Sequence, residues 1–312
     1  MWRELIGAGA LLAVALVSAS VTEASQVRQS PTFRSAIDLV RVSAVVRDRK
    51  GRFVPNLTSS DFQILDDGSP RMITEFRRDF SGISIALLFD VSGSMQLNLP
   101  NAREAATHLL SWLDQSDQAA IFTFDTRLDE VVPFTAGLKA LPEALSSIVP
   151  FGATSLDDAI AQTARRAAER EGRRRAVVVF TDGNDNASRL TPGQVSAIAS
   201  AIDVPVYIFG AVPGVDNPTA ENSTVNGRSS LTGPMSDLAE WTGGHVFITS
   251  TPAARSAAAR QIVDELRHQY LIAFESSGKP GWHPLVVHAR DKDLVVRARS
   301  GYLAGQSRPN SN

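Results

Sequence analysis

The spacing of apolar and polar residues changes twice along the chain and divides it into three parts. Between Asp38 and Asp48 apolar residues alternate with polar ones, which is typical of a half-buried β-strand. From Ile83 onward, short apolar runs alternate with stretches in which apolar residues recur every three or four positions. This second pattern predicts strands alternating with helices, and β-like patterns return from Tyr270 to the end.

The middle part predicts a doubly wound α/β fold, with a mostly parallel sheet and helices on both faces. Two wholly apolar runs, Ile85–Phe89 and Ala176–Phe180, are typical of buried strands in a parallel sheet. Helical spacing predicts helices over 102–113, 138–148, 156–170 and 253–268, and a strand pair over 119–124 and 129–134.

The two flanking parts predict a small antiparallel β module. The turn sequence Asp66-Asp67-Gly68 lies between Phe62–Leu65 and Met72–Phe76, which predicts a hairpin between those two segments. Each flank is too short to fold alone, so we expect the two flanks to pair with each other. The expected organisation is a module formed by 36–80 and 269–305 around an α/β domain at 81–268.

The first residues resemble a targeting segment. Arg3 precedes the apolar run Leu5–Val17, which is short for a membrane span and leads into small residues. We expect a signal peptide at 1–24, a polar linker at 25–35 and a polar tail at 306–312. An exported protein, periplasmic or extracellular, is therefore expected, with a membrane attachment if the segment is retained.

Composition excludes several classes of function. The chain has 312 residues, 43% of them hydrophobic, and a net charge of -2, which gives no basic surface for nucleic acid. It has no cysteine, which excludes a thiol nucleophile, a zinc–thiolate site and a cysteine-linked lipid anchor. Residues 212–233 are rich in Gly, Pro, Asn, Ser and Thr and predict a long loop of undefined role.

Oxygen-bearing side chains follow the predicted buried strands. Asp90, Ser92 and Ser94 come directly after Ile85–Phe89 in the pattern D-x-S-x-S. Asp182 comes after the second apolar run, and Thr154 lies in a loop before a predicted helix. Ligands of open α/β sheets bind where the loops leave the carboxyl ends of the strands, so these side chains are expected to converge there.

A site in which neutral hydroxyls contact the ion, and carboxylates stand behind them without direct contact, suits a hard divalent cation. Mg²⁺ is the first expectation. Ser92, Ser94 and Thr154 are the expected direct ligands. Asp90 and Asp182 are expected to orient them or to bind through water. An ion held by neutral ligands keeps most of its charge and an open position, and it attracts a carboxylate from a partner. Gly93 is expected to permit the tight turn.

Simpler interpretations exist for each residue. Asp90 and Ser92 could cap the following helix, Thr154 could cap the helix that starts at Leu156, and Asp182 could be a turn residue. Asp185 is expected to be a surface residue.

Enzymatic functions fit the sequence less well. A phosphatase with an aspartate nucleophile needs a second acid two residues after Asp90, where this chain has Ser92. The chain has no G-x-S-x-G and no phosphate-binding G-x-x-x-x-G-K-[ST] sequence. We therefore expect no enzyme, with a magnesium-dependent phosphohydrolase as the least favoured alternative.

These motifs resemble the von Willebrand factor type A domain over about 83–268. The five positions of that family's metal motif are matched by Asp90, Ser92, Ser94, Thr154 and Asp182. The flanks are similar to a secreted bacterial subgroup, in three segments and a dipeptide: Val45–Gly51, Leu57–Phe62, Ser300–Tyr302 and Asp67-Gly68.

The resemblance implies a metal-dependent adhesion site that binds Mg²⁺, with Mn²⁺ or Ca²⁺ as alternatives, and a protein or peptide partner offering a carboxylate. A structural subunit of an envelope assembly with a purely stabilising ion is the alternative. In some relatives the last helix shifts on ligand binding. Helix 253–268 occupies that position here. It either shifts when ligand binds, as in those relatives, or stays packed in one position.

Overall fold

The computed structural model describes residues 39–78, 82–170, 173–201, 203–210 and 231–304. The expected signal peptide and linker, most of the loop at 212–233 and the tail at 306–312 lie outside the described residues. None of the helices in the described ranges is long and apolar enough to cross a membrane.

The described residues form fourteen strands, six α-helices and two short 3₁₀ helices, each type numbered along the chain. The strands are β1 (Leu39–Asp48), β2 (Phe62–Asp66), β3 (Ser69–Arg71), β4 (Ile73–Arg78), β5 (Ile83–Asp90), β6 (Gln118–Phe124), β7 (Leu128–Ala136), β8 (Arg174–Thr181), β9 (Val206–Gly210), β10 (Val246–Ile248), β11 (Gln269–Glu275), β12 (Gly281–Ala289), β13 (Leu294–Ala298) and β14 (Gly301–Ala304). The α-helices are α1 (Leu99–Trp112), α2 (Glu143–Ser146), α3 (Leu156–Ala168), α4 (Pro192–Ala201), α5 (Pro234–Thr242) and α6 (Pro252–Arg267), and short 3₁₀ helices span Ser59–Asp61 and Gly93–Leu97.

Six strands form the central sheet in the order β10-β9-β8-β5-β6-β7. All neighbours in it are parallel except β6 and β7, which form the predicted strand pair and are antiparallel. Every residue of β5 is buried, as a central strand covered on both faces requires. The chain leaves β5 toward β6 on one side and later returns to β8 on the other, so the end of β5 lies where the strand order reverses.

Helices cover both faces of this sheet. Alternate side chains of β5, such as Leu87 and Phe89, pack with α1 and α6, while Ala86 and Leu88 pack with α3, α4 and α5. The doubly wound α/β fold predicted from the sequence is thereby confirmed.

The flanking strands form two further antiparallel sheets. The first has the order β13-β1-β11-β4 and the second β14-β12-β2-β3. Both contain strands from before and after the central domain, because β1 pairs with β11 and β2 pairs with β12. The apolar side chains of the two sheets share one core, so the β module predicted from the flanks is present.

Two details differ from the sequence-based predictions. Asp67 and Gly68 have φ angles of 49° and 74°, so a two-residue turn returns the chain at once and Asp66 pairs with Ser69. Met72–Phe76 is therefore not the hairpin partner, since β4 crosses to the other sheet and pairs with β11. The helix predicted over 138–148 shrinks to α2, because Pro142 precedes it and residues before a proline avoid helical conformation.

The β module packs at the amino ends of the parallel strands. Glu265, near the end of α6, accepts a hydrogen bond from Arg47 of β1 at 3.0 Å and is ion-paired with Arg297 of β13. Phe53 stacks on His268 with ring centroids 4.4 Å apart. The carboxyl end of β5 lies about 26 Å away along an eight-residue strand, so the candidate site faces away from the module.

Candidate metal centre

The residues of the D-x-S-x-S sequence lie together at the carboxyl end of β5. Asp90 Oδ1 accepts hydrogen bonds from the Ser92 backbone N at 2.9 Å and from Ser92 Oγ at 2.6 Å. The Oγ atoms of Ser92 and Ser94 are 3.2 Å apart. Asp90 and Ser92 are fully buried, whereas Ser94 is exposed, so the pair of hydroxyls opens toward solvent at Ser94.

Both oxygens of the Asp90 carboxylate accept hydrogen bonds. Its Oδ2 accepts a hydrogen bond from Thr181 Oγ1 at 2.7 Å. Burial raises the pKa of Asp90 to about 6 against the lowering effect of the hydrogen bonds from Ser92 and Thr181, and repulsion from Asp182 adds to the rise. A buried carboxylate of this kind gains from a nearby positive charge.

Thr154 is connected to the other candidate ligands through its backbone. The preceding Gly152 carbonyl accepts a hydrogen bond from Gly93 N at 3.2 Å, which joins the Thr154 loop to the serines. Thr154 N donates to Asn186 Oδ1 at 2.9 Å, and the Thr154 carbonyl accepts from Asn186 N. Thr154 is buried, and its loop is fixed on both sides.

Asp182 lies at the end of β8 and is buried. Its Oδ1 accepts a hydrogen bond from Asn184 N at 3.1 Å. The following Gly183 has φ 84°, a left-handed conformation that favours glycine, and its N donates to Thr181 Oγ1 at 3.0 Å. Thr181 thus links the turn after Asp182 to the carboxylate of Asp90.

The arrangement of donors fits a hard divalent cation. Adjacent ligands of an octahedral Mg²⁺ at about 2.1 Å are about 3.0 Å apart, close to the 3.2 Å between the Ser92 and Ser94 hydroxyls. The available atoms are hydroxyl and carboxylate oxygens, which such ions prefer. Within the described part of the chain, no group of three or more His, Asp or Glu side chains is arranged to hold a metal. The assignment of these five residues as ligands stays a prediction.

The simpler capping roles do not describe these side chains. Ser92 is the residue before the 3₁₀ helix, but its hydroxyl makes no capping bond and donates to Asp90 instead. Helix α3 begins after Ser155, so Thr154 is not its cap. The expectation that the turn at Gly93 needs the backbone freedom of glycine was wrong. Gly93 does not have a left-handed φ, and a Cβ at this position would lie 3.6 Å from the Gly152 carbonyl oxygen, an ordinary van der Waals distance.

Three contributors escaped the sequence-based analysis. Thr181 donates a hydrogen bond to Asp90, and Asn186 accepts one from the Thr154 backbone N–H. The signal available in the sequence for Thr181 was a hydroxyl residue at the end of an apolar strand.

The third contributor is Asp157, in the first turn of α3, which is buried with its Oδ1 unpartnered. Burial, followed by repulsion from Asp185 and Asp158, raises the pKa of Asp157 to about 7. Asp185 is exposed as expected, and it accepts the Asp157 backbone N–H at 2.9 Å.

Comparisons with known proteins bear on the central domain. Residues 85–184 match the family model of the von Willebrand factor type A domain. The curated protein sequences contain no match to this chain.

Several solved structures are similar to parts of the chain. An aerotolerance-related membrane protein from Bacteroides fragilis NCTC 9343, with multiple mutations to serines, is 20% identical over 59% of this chain and 99% of that one, with a TM-score of 0.48. The conserved hypothetical protein BatB from Bacteroides thetaiotaomicron is 20% identical over 59% and 98%, with a TM-score of 0.46. The manganese-loaded TRAP protein of Plasmodium vivax is 14% identical over 74% and 98%, with a TM-score of 0.43.

Proposed function

Because residues 85–184 match the family model of the von Willebrand factor type A domain, we propose that this protein binds an acidic group of a protein or peptide partner through a divalent cation. In this proposal Ser92, Ser94 and Thr154 are direct ligands, and Asp90 and Asp182 orient them and balance charge. Mg²⁺ is the expected ion, with Mn²⁺ or Ca²⁺ as alternatives. The observation that carries the proposal is the hydroxyl pair of Ser92 and Ser94 at the carboxyl end of β5, in which the buried Asp90 carboxylate orients Ser92.

Asp90 prepares the Ser92 hydroxyl for this role. Ser92 Oγ donates its single proton to Asp90 at 2.6 Å, so its lone pairs remain available on the opposite side. Ser94 is exposed, which leaves an approach from solvent. A bound divalent cation would supply a positive charge with a coordination position open to a carboxylate from outside. Asp90 and Asp182 would compensate that charge without occupying the open position.

The arrangement of the loops favours adhesion over a purely stabilising ion. Backbone hydrogen bonds already join the loops, through Gly93 to Gly152 and through Thr154 to Asn186. Because the protein's own hydrogen bonds join the loops, the proposal gives the cation a role in binding the partner. A role in binding rather than catalysis is proposed because Ser92 stands where a phosphatase of this type needs a second acid. Export of the protein is part of the proposal and rests on the sequence of residues 1–24.

Affinity capture from envelope and culture-supernatant extracts tests the proposal. The protein is immobilised in Mg²⁺, in EDTA and as the Asp90→Ala variant, and circular dichroism checks that each sample is folded. Ser196→Ala is the matched control, because Ser196 is also buried but bonds the Pro192 carbonyl in α4. We expect a partner that is retained by the wild type and by the control in Mg²⁺ only.

A partner retained equally in all samples would place recognition on another surface. Loss of folding in EDTA would instead support the structural alternative.

A further inference from the structure

Large apolar side chains are unusually exposed on two loops of the candidate site. Among the described residues, the four most exposed large apolar side chains are Met72, Phe151, Val149 and Leu97, with exposed fractions of 83%, 82%, 79% and 78%. Met72 belongs to the β module. The other three, here named the apolar rim, lie on the loops that carry Ser94 and Thr154.

The backbone fixes the apolar rim beside the candidate ligands. Leu97 ends the 3₁₀ helix that begins at Gly93, and at about 2.0 Å per residue it lies about 6 Å along the axis from Ser94. Phe151 N donates to the Val91 carbonyl at 3.0 Å, which attaches Phe151 to the loop of the serines. Phe151 also lies three residues before Thr154, within about 10 Å along an extended chain.

Packing of the domain does not account for the apolar rim. Met95 and Leu99, on either side of Leu97, are buried in the core, so this segment already supplies its share of apolar contacts. Leu97 points away from that core into solvent. Exposed apolar side chains grouped at one place on a surface mark an interaction site more often than chance exposure does.

The character of the partner follows from the two halves of this surface. The ligand side carries buried carboxylates that a bound cation would neutralise, so it favours one anionic group from outside. The apolar rim beside it offers no charge and favours an apolar side chain.

We propose that the partner segment carries Asp or Glu directly beside a large apolar residue such as Leu, Ile or Phe, and that the apolar rim binds this second side chain. This inference rests on the proposed function, because the acidic residue is the one that the cation would bind. Burial of one large apolar side chain is expected to strengthen binding about tenfold or more.

A library of random peptides displayed on phage tests the inference. The full chain is the target, in Mg²⁺ and in EDTA, and peptides enriched only in Mg²⁺ are synthesised. Each is compared with its acid-to-amide and apolar-to-Ala versions against the wild type, Leu97→Ser and Phe151→Ser. Met72→Ser is the matched control, because Met72 is equally exposed but lies in the β module.

We expect the enriched peptides to contain an acidic–apolar pair. Leu97→Ser and Phe151→Ser should weaken their binding about tenfold and leave Mg²⁺ affinity unchanged, while Met72→Ser has no effect. Phe151→Ser should cost much less with the apolar-to-Ala peptide, since that contact is already absent.

Two results would overturn the inference, each in a different way. Acidic peptides that need Mg²⁺ but show no apolar preference and no response to Phe151→Ser would leave the proposed function standing and remove the role of the apolar rim. An absence of Mg²⁺-dependent acidic peptides would contradict the proposed function as well.

Discussion

Replacing Glu265 with Gln is expected to loosen the attachment of the central domain to the β module. Glu265 is fully buried near the end of α6. Its Oε1 accepts hydrogen bonds from Arg47 at 3.0 Å and from Gln261 at 3.1 Å, and its Oε2 is ion-paired with Arg297. Both arginines come from the β module, so one helical carboxylate balances two charges from strands that lie far apart in sequence.

The size of the effect follows from the burial of the three groups. Removing one partner of a buried ion pair costs about 3 to 5 kcal/mol, because the remaining charge is left without compensation. Arg47 and Arg297 each keep 27% of their side chains exposed, so water can solvate part of their charge in the variant. We therefore expect Glu265→Gln to lower the free energy of unfolding by about 2 to 3 kcal/mol.

Thermal unfolding followed by circular dichroism measures this change. At about 2 to 4 °C per kcal/mol for a protein of this size, the melting temperature should fall by about 4 to 12 °C. The control is Asp264→Asn, one residue earlier on the same helix, which removes an ion pair to Arg260 at 3.4 Å in which Arg260 is exposed and Asp264 is half-buried. Exposed pairs contribute about 0.2 to 1 kcal/mol, so the control should melt within about 4 °C of the wild type, and below it by less than Glu265→Gln does.

Equal melting temperatures for the two variants would refute the reasoning. That result would mean that Arg47 and Arg297 are solvated well enough without Glu265. Hydrogen exchange over 253–275 gives the local readout. Faster exchange in Glu265→Gln, confined to the end of α6 and to β11, would show that the carboxylate holds the helix in place.

Three further predictions concern single sites in the central domain. Asp157→Asn should stabilise the protein on the order of 2 kcal/mol at pH 8 and not at pH 4. A carboxyl whose pKa rises from 3.8 to about 7 on folding costs stability increasingly across that range, and urea unfolding at both pH values measures the difference. Gly244→Ala should destabilise by about 3 kcal/mol or more, because a Cβ there would lie 1.9 Å from the Val206 carbonyl oxygen. Gly193→Ala in α4, with nothing within 4 Å, should instead stabilise by about 0.5 to 1 kcal/mol, and an unstable Gly193→Ala would contradict this account.

Much of the fold could be predicted because its signals are local. The wholly apolar runs Ile85–Phe89 in β5 and Ala176–Phe180 in β8 indicate strands that are covered on both faces, and such strands require helices on each side of the sheet. For the β module, the sequence predicted that the two flanks pair with each other but not that they form two sheets. Its division into two sheets depends on the left-handed turn at Asp67 and Gly68, after which the returning strand begins at Ser69, three residues earlier than the apolar pattern indicates.

The candidate site was predictable where strand and loop patterns coincide. Asp90 and Asp182 follow recognisable buried strands, so their convergence could be inferred from the sheet alone. The support from Thr181 and Asn186 could not, because it depends on side-chain hydrogen bonds between loops that are distant in sequence. The buried charge of Asp157 was hidden for a different reason, since an acidic residue in the first helical turn ordinarily faces solvent.

Titration of Mg²⁺ into the protein by isothermal calorimetry tests the central claim most directly. The samples are the wild type, Ser92→Ala, and Ser196→Ala as the matched buried serine. We predict one binding site per chain in the wild type and in Ser196→Ala, and no measurable binding in Ser92→Ala at the same concentrations. Binding that is equal in all three, or absent from the folded wild type, would contradict the assignment of this site.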